Sequence, residues 1–216
     1  MGEAGFFGLD LAVDRRVLVP RPETELLVEE ALTILRAPGA SKKPRILDIG
    51  TGSGAIAVSL TIEHPDCRMT ALDIAPGPLG VARRNAARYG LARKIRFLRS
   101  DLFSVFEGKK GIRWDMIVSN PPYIPEEEYA ALPREVLREP KLALSGGPGG
   151  LTVIERILDG APKFLVPGGW LLMEIGEGQS GRLTKRLAKN SFFKGLRFIK
   201  DHAGIERILA VQRMNG

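Results

Sequence analysis

The chain has 216 residues, 44% of them hydrophobic and 26% charged, a balance typical of a globular protein with its own core and unlike that of a disordered chain. One cysteine excludes an internal disulfide, and the two histidines, His64 and His202, lie too far apart in the sequence for a clustered Cys/His zinc site. Basic residues outnumber acidic ones by 32 to 25, and the resulting net charge of +7 favours acidic partners such as nucleic acid or ribonucleoprotein.

The first forty residues are expected to form a small layer rather than an independent domain. Segments 6–10 and 17–19 are short and apolar, and we expect them to pair as two strands of a flap. A helix over 25–35 follows. We therefore expect residues 1–42 to be a flap and a helix packed on a main domain of residues 43–216.

In the main domain, strand-like apolar runs alternate with helical patterns, which indicates a largely parallel α/β sheet. The predicted strands are 45–49, 68–73, 95–98, 115–119 and 170–175, and the predicted helices are 55–63, 78–89, 151–164 and 179–189. Two further strands, 196–200 and 207–211, are joined by a link too short for a helical crossover, so we expect them to be antiparallel.

The apolar runs are far shorter than the roughly 20 residues that a membrane span needs. The first residues also lack the basic and apolar regions of a signal peptide. These two features predict a cytoplasmic protein without a membrane partner.

Basic side chains gather in two stretches, between residues 83 and 99 and between residues 182 and 200. We interpret both mainly as solvated helix faces that flank strands. Weak contact with nucleic acid or with the ribosome through this basic surface stays an open alternative, and such contact would weaken steeply with added salt.

A glycine-rich turn follows the first strand of the main domain, in the segment Asp48-Ile49-Gly50-Thr51-Gly52-Ser53-Gly54. Glycines at alternate positions let the backbone bend tightly and let a ligand approach a helix N-terminus. Asp73 ends the next strand 23 positions after Gly50, a spacing that suits a carboxylate accepting both hydroxyls of a ribose. The spacing departs from the P-loop and dinucleotide-binding patterns, whereas Asp-x-Gly-x-Gly-x-Gly resembles the first motif of S-adenosylmethionine-dependent methyltransferases. A tight turn that binds nothing is the alternative.

The fourth predicted strand of the main domain ends in Ser119-Asn120-Pro121-Pro122-Tyr123. Two prolines lock φ and remove two N–H donors, so the loop is stiff and offers carbonyl oxygens as acceptors. Open α/β sheets bind ligands at the carboxyl ends of their strands, so we expect this loop to face the glycine turn. A rigid turn without a chemical role is the alternative.

This proline loop is suited to holding a planar NH2 group, whose nitrogen is a poor nucleophile because its lone pair is delocalised. If the side-chain oxygen of Asn120 and the carbonyl of Pro121 accept the two N–H bonds, the lone pair can point at an electrophilic methyl while Tyr123 stacks on the plane. The sulfonium of the cofactor is the leaving group, so the protein contributes positioning and electrostatics. We therefore predict in-line methyl transfer to an amide or an exocyclic amine.

With these motifs the chain resembles the HemK/PrmC family, the protein-(glutamine-N5) methyltransferases that modify peptide release factors. The resemblance covers nearly the whole chain, and Arg21-Pro22-Glu23-Thr24-Glu25 separates this family from other enzymes with an Asn-Pro-Pro-Tyr loop. Two roles stay open for Arg21, Glu23 and Glu25, which either order loops or cap the following helix through its dipole. The segments that carry the resemblance are 19–25, 47–54, 117–124, Glu139-Pro140, Gly168-Gly169 and Glu174-Ile175-Gly176.

The resemblance implies an α/β, Rossmann-like class I S-adenosylmethionine-dependent methyltransferase fold. Such a fold has a mostly parallel seven-stranded sheet with an antiparallel last strand and helices on both faces. The implied cofactor is S-adenosyl-L-methionine, with S-adenosyl-L-homocysteine as product and no metal. The residues implied to bind it are Asp48, Gly50, Thr51, Gly52, Ser53, Gly54, Asp73, Asp101, Leu102 and Asn120, and Pro22 and Thr24 are implied to wall the pocket.

The implied reaction is N5-methylation of a glutamine in the Gly-Gly-Gln motif of release factors, which would be the protein partner. The residues implied to bind the glutamine amide are Asn120, Pro121, Pro122 and Tyr123, with catalysis assigned to Asn120, Pro121 and Tyr123. The helical N-terminal domain with which the family is thought to grip the release factor is not expected within this chain.

Other functions stay open. The substrate could be a glutamine in a ribosomal protein. It could also be adenine-N6 or guanine-N2 in nucleic acid, although such enzymes usually extrude the base and need a recognition region for which this chain has little spare length. A cofactor-binding module without activity is the third alternative.

Overall fold

A seven-stranded sheet forms the centre of the molecule, whose computed structural model describes residues 2–215. An N-terminal hairpin consists of β1 (Gly2–Phe6) and β2 (Leu9–Val13). The strands of the large sheet are β3 (Arg45–Ile49), β4 (Arg68–Asp73), β5 (Ile95–Arg99), β6 (Trp114–Ser119), β7 (Leu165–Glu174), β8 (Phe193–Lys200) and β9 (Glu206–Arg213). The α-helices are α1 (Glu25–Leu35), α2 (Ala55–Glu63), α3 (Pro76–Arg88), α4 (Lys141–Leu144), α5 (Thr152–Phe164) and α6 (Ser180–Leu187).

The strand order across the large sheet is β5-β4-β3-β6-β7-β9-β8. The first five strands in that order, β5 to β7, are parallel to one another, and β9 is antiparallel to both β7 and β8. This topology confirms the predicted fold class, including the antiparallel last strand.

Side chains alternate between the two faces of the sheet, and each face buries its own apolar core. On one face, strand residues such as Ile46 and Met116 pack with α1, α2 and the N-terminal hairpin. On the other face, Leu47 and Ile117 pack with α5 and α6. Helices therefore cover both faces, as predicted.

The strand order reverses at β3, because the chain runs outward from β3 to β4 and β5 and then returns to β6 on the other side. Ile49 at the end of β3 is paired with Ser119 at the end of β6. The Ser119 hydroxyl donates to the Ile49 carbonyl over 2.7 Å. The segments that follow these two strands therefore start side by side at the carboxyl edge of the sheet, where open α/β sheets bind ligands.

The first strand of the expected flap is wrong in its boundaries. Phe6 pairs with Leu9, so Phe7 and Gly8 form a two-residue turn inside the predicted segment 6–10. Their φ angles are 50° and 72°, both positive as in a type I′ turn. The sequence concealed this turn because a phenylalanine occupies a position that usually holds Asn, Asp or Gly.

The second strand of the expected flap, over 17–19, is also wrong, because the structure assigns no strand to these residues. Val17 is buried in a small apolar cluster with Val13 and Val81. Its apolar character therefore reflects burial against β2 and α3 rather than strand pairing.

The boundaries of β7 differ from the prediction because the segment Pro167-Gly168-Gly169 lies inside the strand. β7 begins at Leu165 rather than at residue 170. Its pairing with β6 shifts register between Trp114 and Met116, and Gly168 has a φ of 75°. Such an irregularity accommodates a proline, which has no N–H to donate to a regular ladder.

The helices lie within a few residues of the prediction. α3 begins at Pro76 rather than at residue 78, and a proline in the first turn costs the helix no hydrogen bond. Between β6 and α5 the chain forms α4 and 3₁₀ turns at Glu126–Ala131, Val136–Arg138 and Pro148–Gly150, which the sequence did not indicate. Within residues 2–215, no helix combines the length and the apolar character needed to cross a membrane.

Gly160 of α5 provides a test of this packing. A Cβ at this position would lie 2.5 Å from the ring of Phe103, which stacks on Phe164 with ring centroids 4.9 Å apart. Alanine is favoured over glycine in a helix by about 1 kcal/mol, but we expect the clash to dominate. Gly160→Ala should lower the free energy of unfolding by about 1–3 kcal/mol in urea titrations.

The matched control is Gly181→Ala in α6, where an added Cβ would meet nothing within 4 Å. This control should leave the free energy of unfolding unchanged or raise it slightly. A Gly160→Ala protein as stable as the control protein would contradict the proposed clash.

Candidate functional site

A cleft of about 240 Å³ opens at the carboxyl ends of β3 and β6. It brings together ten of the residues that the sequence analysis singled out: Gly50, Thr51, Gly52, Ser53, Asp73, Asp101, Leu102, Asn120, Pro121 and Pro122. Thr24 lines it too, whereas Asp48, Gly54, Tyr123 and Pro22 are not among its lining residues. The glycine turn and the proline loop therefore face one shared space.

The glycine turn adopts a backbone that side chains disfavour. Gly50, Gly52 and Gly54 have φ angles of 73°, 56° and 85°. At Gly54 an added Cβ would lie 3.1 Å from the Cβ of Ala82, so this glycine also permits the close approach of α3. The three glycines are thus required by conformation and, at Gly54, by helix packing.

Asp73 ties the end of β4 to the glycine turn. Its Oδ2 accepts the N–H of Gly52 over 3.1 Å, and its Oδ1 accepts the N–H of Ala75 over 3.0 Å. Burial raises the pKa of this carboxyl, while the backbone hydrogen bonds act in the opposite direction. Each oxygen has lone-pair capacity beyond its backbone donor, so the group can also accept hydroxyl hydrogens from a ligand in the cleft.

Asp48 lies beneath the turn and is fully buried. Its Oδ2 accepts the hydroxyl hydrogen of Thr51 over 2.6 Å, and its Oδ1 has no partner among the described residues. Burial raises the pKa of Asp48 to about 7, with the Thr51 hydrogen bond opposing the shift and the Asp73 charge adding to it. The Asp48 carboxyl therefore stabilises the glycine turn through its hydrogen bond with Thr51.

The segment after β5 forms another part of the cleft wall. Leu102 has a φ of 46°, a left-handed conformation uncommon for leucine, and its carbonyl accepts the Ser100 hydroxyl over 2.7 Å. Asp101 is paired with Arg156 of α5 at 2.8 Å, with both side chains about half exposed. Both side chains of this ion pair line the cleft, so the Asp101 carboxylate is accessible from it.

The Asn120 side chain is held by hydrogen bonds from behind. Its Nδ2 donates to Thr24 Oγ1 over 2.9 Å, and the Thr24 hydroxyl donates to Glu174 Oε2 over 2.6 Å. Because the single hydroxyl hydrogen of Thr24 is used by Glu174, Thr24 can only accept from Asn120, which assigns Nδ2 to that side. In the described part of the chain no hydrogen bond reaches Asn120 Oδ1, so this oxygen is an available acceptor at the cleft.

Tyr123 does not line the space that the glycine turn and Asn120 share. Its hydroxyl donates to Glu174 Oε1 over 3.1 Å. Burial, the Glu174 charge and the hydrogen bond to Glu174 all raise the pKa of Tyr123 far above its usual value. The hydroxyl therefore stays protonated and serves as a fixed donor to the carboxylate.

The proline loop is supported by a second glycine-rich segment, residues 146–150. A Cβ on Gly146 would lie 2.7 Å from the Pro122 carbonyl oxygen, and one on Gly150 would lie 2.1 Å from that of Tyr123. Gln179 donates to the Tyr123 carbonyl over 2.9 Å. Backbone-to-backbone packing of this kind limits the freedom of the loop.

Arg21 and Glu25, at the start of α1, make long-range contacts that order loops, while Glu25 also places a carboxylate in the first turn of the helix. Arg21 forms an ion pair of 2.6 Å with Glu139, which lies 118 residues further along the chain. Glu25 accepts the N–H of Phe7 in the hairpin turn over 2.9 Å. Neither the 3₁₀ turn Pro22–Thr24 nor α1 has a side-chain cap hydrogen bond.

The sequence motifs do not identify three residues that hold the site: Glu174 and Gln179, which lie outside the cleft lining, and Arg156, which lines the cleft. An acidic residue at the end of an otherwise apolar strand was the available signal for Glu174. Thr24 was expected near the pocket, but its hydrogen bond to Asn120 was not.

The basic stretches carry several ion pairs with nearby carboxylates. Arg88 contacts Glu3 at 2.6 Å, Arg186 contacts Asp159 at 2.7 Å, and Arg197 is paired with Glu30. Across residues 2–215, no group of three or more His, Cys, Asp or Glu side chains is placed to hold a metal ion.

Comparisons with known proteins show the family of this chain. A family model described as "Methyltransferase small domain" matches residues 23–155. The release factor glutamine methyltransferase of Chlorobaculum tepidum is 43% identical over 213 residues, which cover 97% of this chain and 71% of that protein. The corresponding protein of Rhodopirellula baltica is 41% identical over 216 residues, covering 99% of this chain and 72% of that protein.

Among solved structures, a methyltransferase from Pyrococcus furiosus superposes with a TM-score of 0.69 and 23% identity, covering 97% of this chain and 91% of that one. At that identity the likeness concerns the fold alone, and it agrees with the topology described above.

The buried carboxyl of Asp48 predicts a pH-dependent stability. Its pKa is about 7 in the folded protein and near 3.9 in an unfolded chain, so between these values the folded state binds more protons. Its contribution to stability is therefore complete below pH ~4 and lost as the pH rises through about 7. Relative to Asp48→Asn, the wild-type free energy of unfolding should fall by about 2–4 kcal/mol between pH 4 and pH 8.

Urea unfolding at a series of pH values measures this difference. Asp66→Asn, at an exposed position, is the control and should differ from wild type by a nearly constant amount. A constant difference for Asp48→Asn as well would contradict the assignment.

Proposed function

The chain belongs to the family of release factor glutamine methyltransferases, and on that premise we propose that it methylates the N5 nitrogen of a glutamine side chain in a peptide chain release factor. It is a methyltransferase, and its methyl donor is S-adenosyl-L-methionine. The single observation that carries the proposed substrate chemistry is the free Oδ1 of Asn120, held at the cleft by the hydrogen bond from Nδ2 to Thr24.

The cleft fits a nucleoside cofactor. Gly50 and Gly52 have positive φ angles and no side chains, so a ligand can reach the backbone at the N-terminus of α2. Asp73 lies at the cleft wall with spare acceptor capacity for ribose hydroxyls. Leu102, Ile74 and Ala75 add apolar lining on the same side.

Bound at this wall, S-adenosyl-L-methionine supplies an electrophilic methyl group on a sulfonium. We assign the remaining work to the protein as positioning. Asn120 Oδ1 and the Pro121 carbonyl accept the two N–H bonds of the substrate amide, which orients the nitrogen lone pair toward the methyl group. The fixed φ of two consecutive prolines keeps these acceptors in place.

The bond changes balance without a further reactant. A bond forms between the amide nitrogen and the methyl carbon, and the bond between that carbon and sulfur breaks. The methylated nitrogen is strongly acidic and releases one proton to solvent without a dedicated base. We assign Tyr123 to the support of the proline loop, where its hydroxyl is fixed by Glu174.

The chemistry of the amide does not by itself select the release factor, and the alternatives share it. A ribosomal-protein glutamine presents the same carboxamide. The net charge of +7 supports the nucleic-acid alternative, in which an exocyclic amine takes the place of the amide and basic side chains contact phosphates. Since release factors act in translation, we place the reaction in the cytoplasm.

One labelling assay separates these substrates. The protein is incubated with methyl-labelled S-adenosyl-L-methionine and, separately, with purified release factor, ribosomal proteins, DNA and RNA. We expect label in the release factor, and mass spectrometry should place the methyl group on the glutamine of its Gly-Gly-Gln motif. Label in nucleic acid or ribosomal protein alone would overturn the proposal.

Asn120→Ala tests the acceptor role. Removing a preorganised hydrogen-bond partner of the reacting group typically costs a factor of about 10²–10³ in kcat. We expect a loss of that size in steady-state kinetics, with a smaller change in cofactor affinity. Asn190→Ala is the control: Asn190 is partly exposed, lies outside the cleft lining and accepts the N–H of Phe192, so its loss also removes one asparagine hydrogen bond. Near-normal turnover of Asn120→Ala would refute the role.

Asp73→Asn tests the ribose contact. The substitution keeps the side-chain shape but replaces one acceptor oxygen by a donor that faces backbone N–H groups. Charge-assisted hydrogen bonds are worth about 1.5–3 kcal/mol, so we expect the dissociation constant for S-adenosyl-L-methionine to rise about 10- to 100-fold in titration calorimetry. Asp66→Asn serves as the control, and unchanged affinity for Asp73→Asn would contradict the assignment.

A further inference from the structure

We propose that Glu174, acting through Thr24, is the positioning residue that decides which end of the Asn120 amide faces the substrate. This inference rests on the proposed function and deepens it, because it adds two residues behind the amide-binding loop. It concerns the orientation of a group that touches the substrate and assigns no proton transfer to Glu174.

Three hydrogen bonds in series carry the argument. Asn120 Nδ2 donates to Thr24 Oγ1 at 2.9 Å, Thr24 donates to Glu174 Oε2 at 2.6 Å, and Tyr123 donates to Glu174 Oε1 at 3.1 Å. Thr24 is 3% exposed and Glu174 is 1% exposed. Bulk water therefore does not replace these partners, and one carboxylate at the end of β7 connects both ends of the proline loop.

The direction of every bond follows from the ionised state of Glu174. A carboxylate only accepts, so both hydroxyls must donate to it. Thr24 has a single hydrogen, and once this is given to Glu174 its oxygen must accept from Asn120. The Asn120 amide is then oriented with Nδ2 inward and Oδ1 toward the cleft, which is the orientation that accepts an N–H of the substrate amide.

Protonation of Glu174 reverses the direction of these hydrogen bonds. The neutral carboxyl must donate its own hydrogen to one of the two hydroxyls, and if it donates to Thr24, the hydrogen of Thr24 turns toward Asn120. Asn120 then satisfies that donor with Oδ1 and presents its NH2 group to the cleft. Two NH2 groups, from Asn120 and from the substrate, would face each other without an acceptor between them.

The surroundings of Glu174 raise its pKa above the usual value for a glutamate, so its protonation sets in at a higher pH than that of an exposed carboxyl. Burial raises the pKa of Glu174, the hydrogen bonds from Thr24 and Tyr123 oppose the rise, Glu23 adds to it and Arg207 opposes it. Arg207 is itself paired with Asp201 at 2.9 Å. The productive orientation is therefore present above the pKa of Glu174 and lost as the pH falls through it.

The kinetic test uses variants that separate the hydroxyl from the shape of the side chain. Thr24→Val removes the hydroxyl and should lower kcat at saturating release factor at least tenfold. KM should change less than threefold, since one amide contributes little to the docking of a whole protein. Thr24→Ser keeps the hydroxyl and should restore most of the activity.

Thr61→Val is the matched control. Thr61 is fully buried on α2 and donates to the Ala57 carbonyl over 2.7 Å, away from the cleft. This variant should leave kcat and KM unchanged, which shows that loss of a buried threonine hydroxyl is not harmful in itself.

Glu174→Gln tests the pH dependence. Its amide must donate to one of the two hydroxyls, so at pH 8 we expect kcat at least tenfold below wild type. The acid limb of the wild-type profile should be absent from this variant, because the titrating group has been removed. A merely structural role for Glu174 would lower activity without flattening the profile.

NMR spectroscopy can follow the same hydrogen bonds in the absence of substrate. The chain has four asparagines, so selective ¹⁵N labelling of their side chains gives a resolvable set that Asn120→Asp assigns. The Asn120 Nδ2 resonance should shift as Glu174 titrates, and it should become pH-independent in Glu174→Gln. This readout also serves if Thr24→Val does not fold.

The outcomes distinguish this inference from the proposed function. The inference is overturned if kcat of Thr24→Val or of Glu174→Gln is within twofold of wild type at pH 8. It is also overturned if Thr24→Ser loses as much activity as Thr24→Val, or if the Asn120 resonance does not change with pH. If the wild-type protein methylates no release factor while the resonance titrates as expected, the proposed function fails and the positioning network stands.

Discussion

The parallel pairing of β3 with β6 is the constraint on which the cleft depends. It joins two strands far apart in the sequence with their ends in register, Ile49 opposite Ser119, and the Ser119 hydroxyl reinforces that pairing with a hydrogen bond to the Ile49 carbonyl. The glycine turn and the proline loop begin at the next residues. A shift of register by one residue would turn the side chains of the shifted strand to the opposite face and offset the two loops from each other.

Around this edge the protein achieves rigidity mainly through its backbone. The glycines of the turn adopt conformations that other residues rarely take, and Gly146 and Gly150 allow backbone to pack directly on the proline loop. Three of the buried polar groups, Asp48, Thr24 and Glu174, each bond to a neighbour at the site. Burying such groups is costly unless they are hydrogen-bonded, and these hydrogen bonds offset that cost.

Local sequence patterns were sufficient for the parts of the fold that are buried on both faces. The strand 45–49, the helix 55–63 and the strand 68–73 were predicted with the boundaries that the structure shows. Each is an apolar segment bounded by turn residues, and its surroundings agree with its own propensity. The N-terminal hairpin and β7 were predicted less well because Phe7 sits in a turn and Pro167 sits inside a strand, against the usual preferences of both residues.

By itself, then, the sequence determined the fold class, the two loops of the cleft and the chemistry that they suit, because each of these depends on residue types at fixed short spacings. Only the tertiary structure decided which side chains form hydrogen bonds with Asn120 and with its partner Thr24. Thr24 and Glu174 lie 150 residues apart and meet through a 2.6 Å hydrogen bond that no local pattern encodes. The orientation of an amide depends on the donors and acceptors that long-range folding brings to it, and those are set by the packing of α1 and β7 around the proline loop.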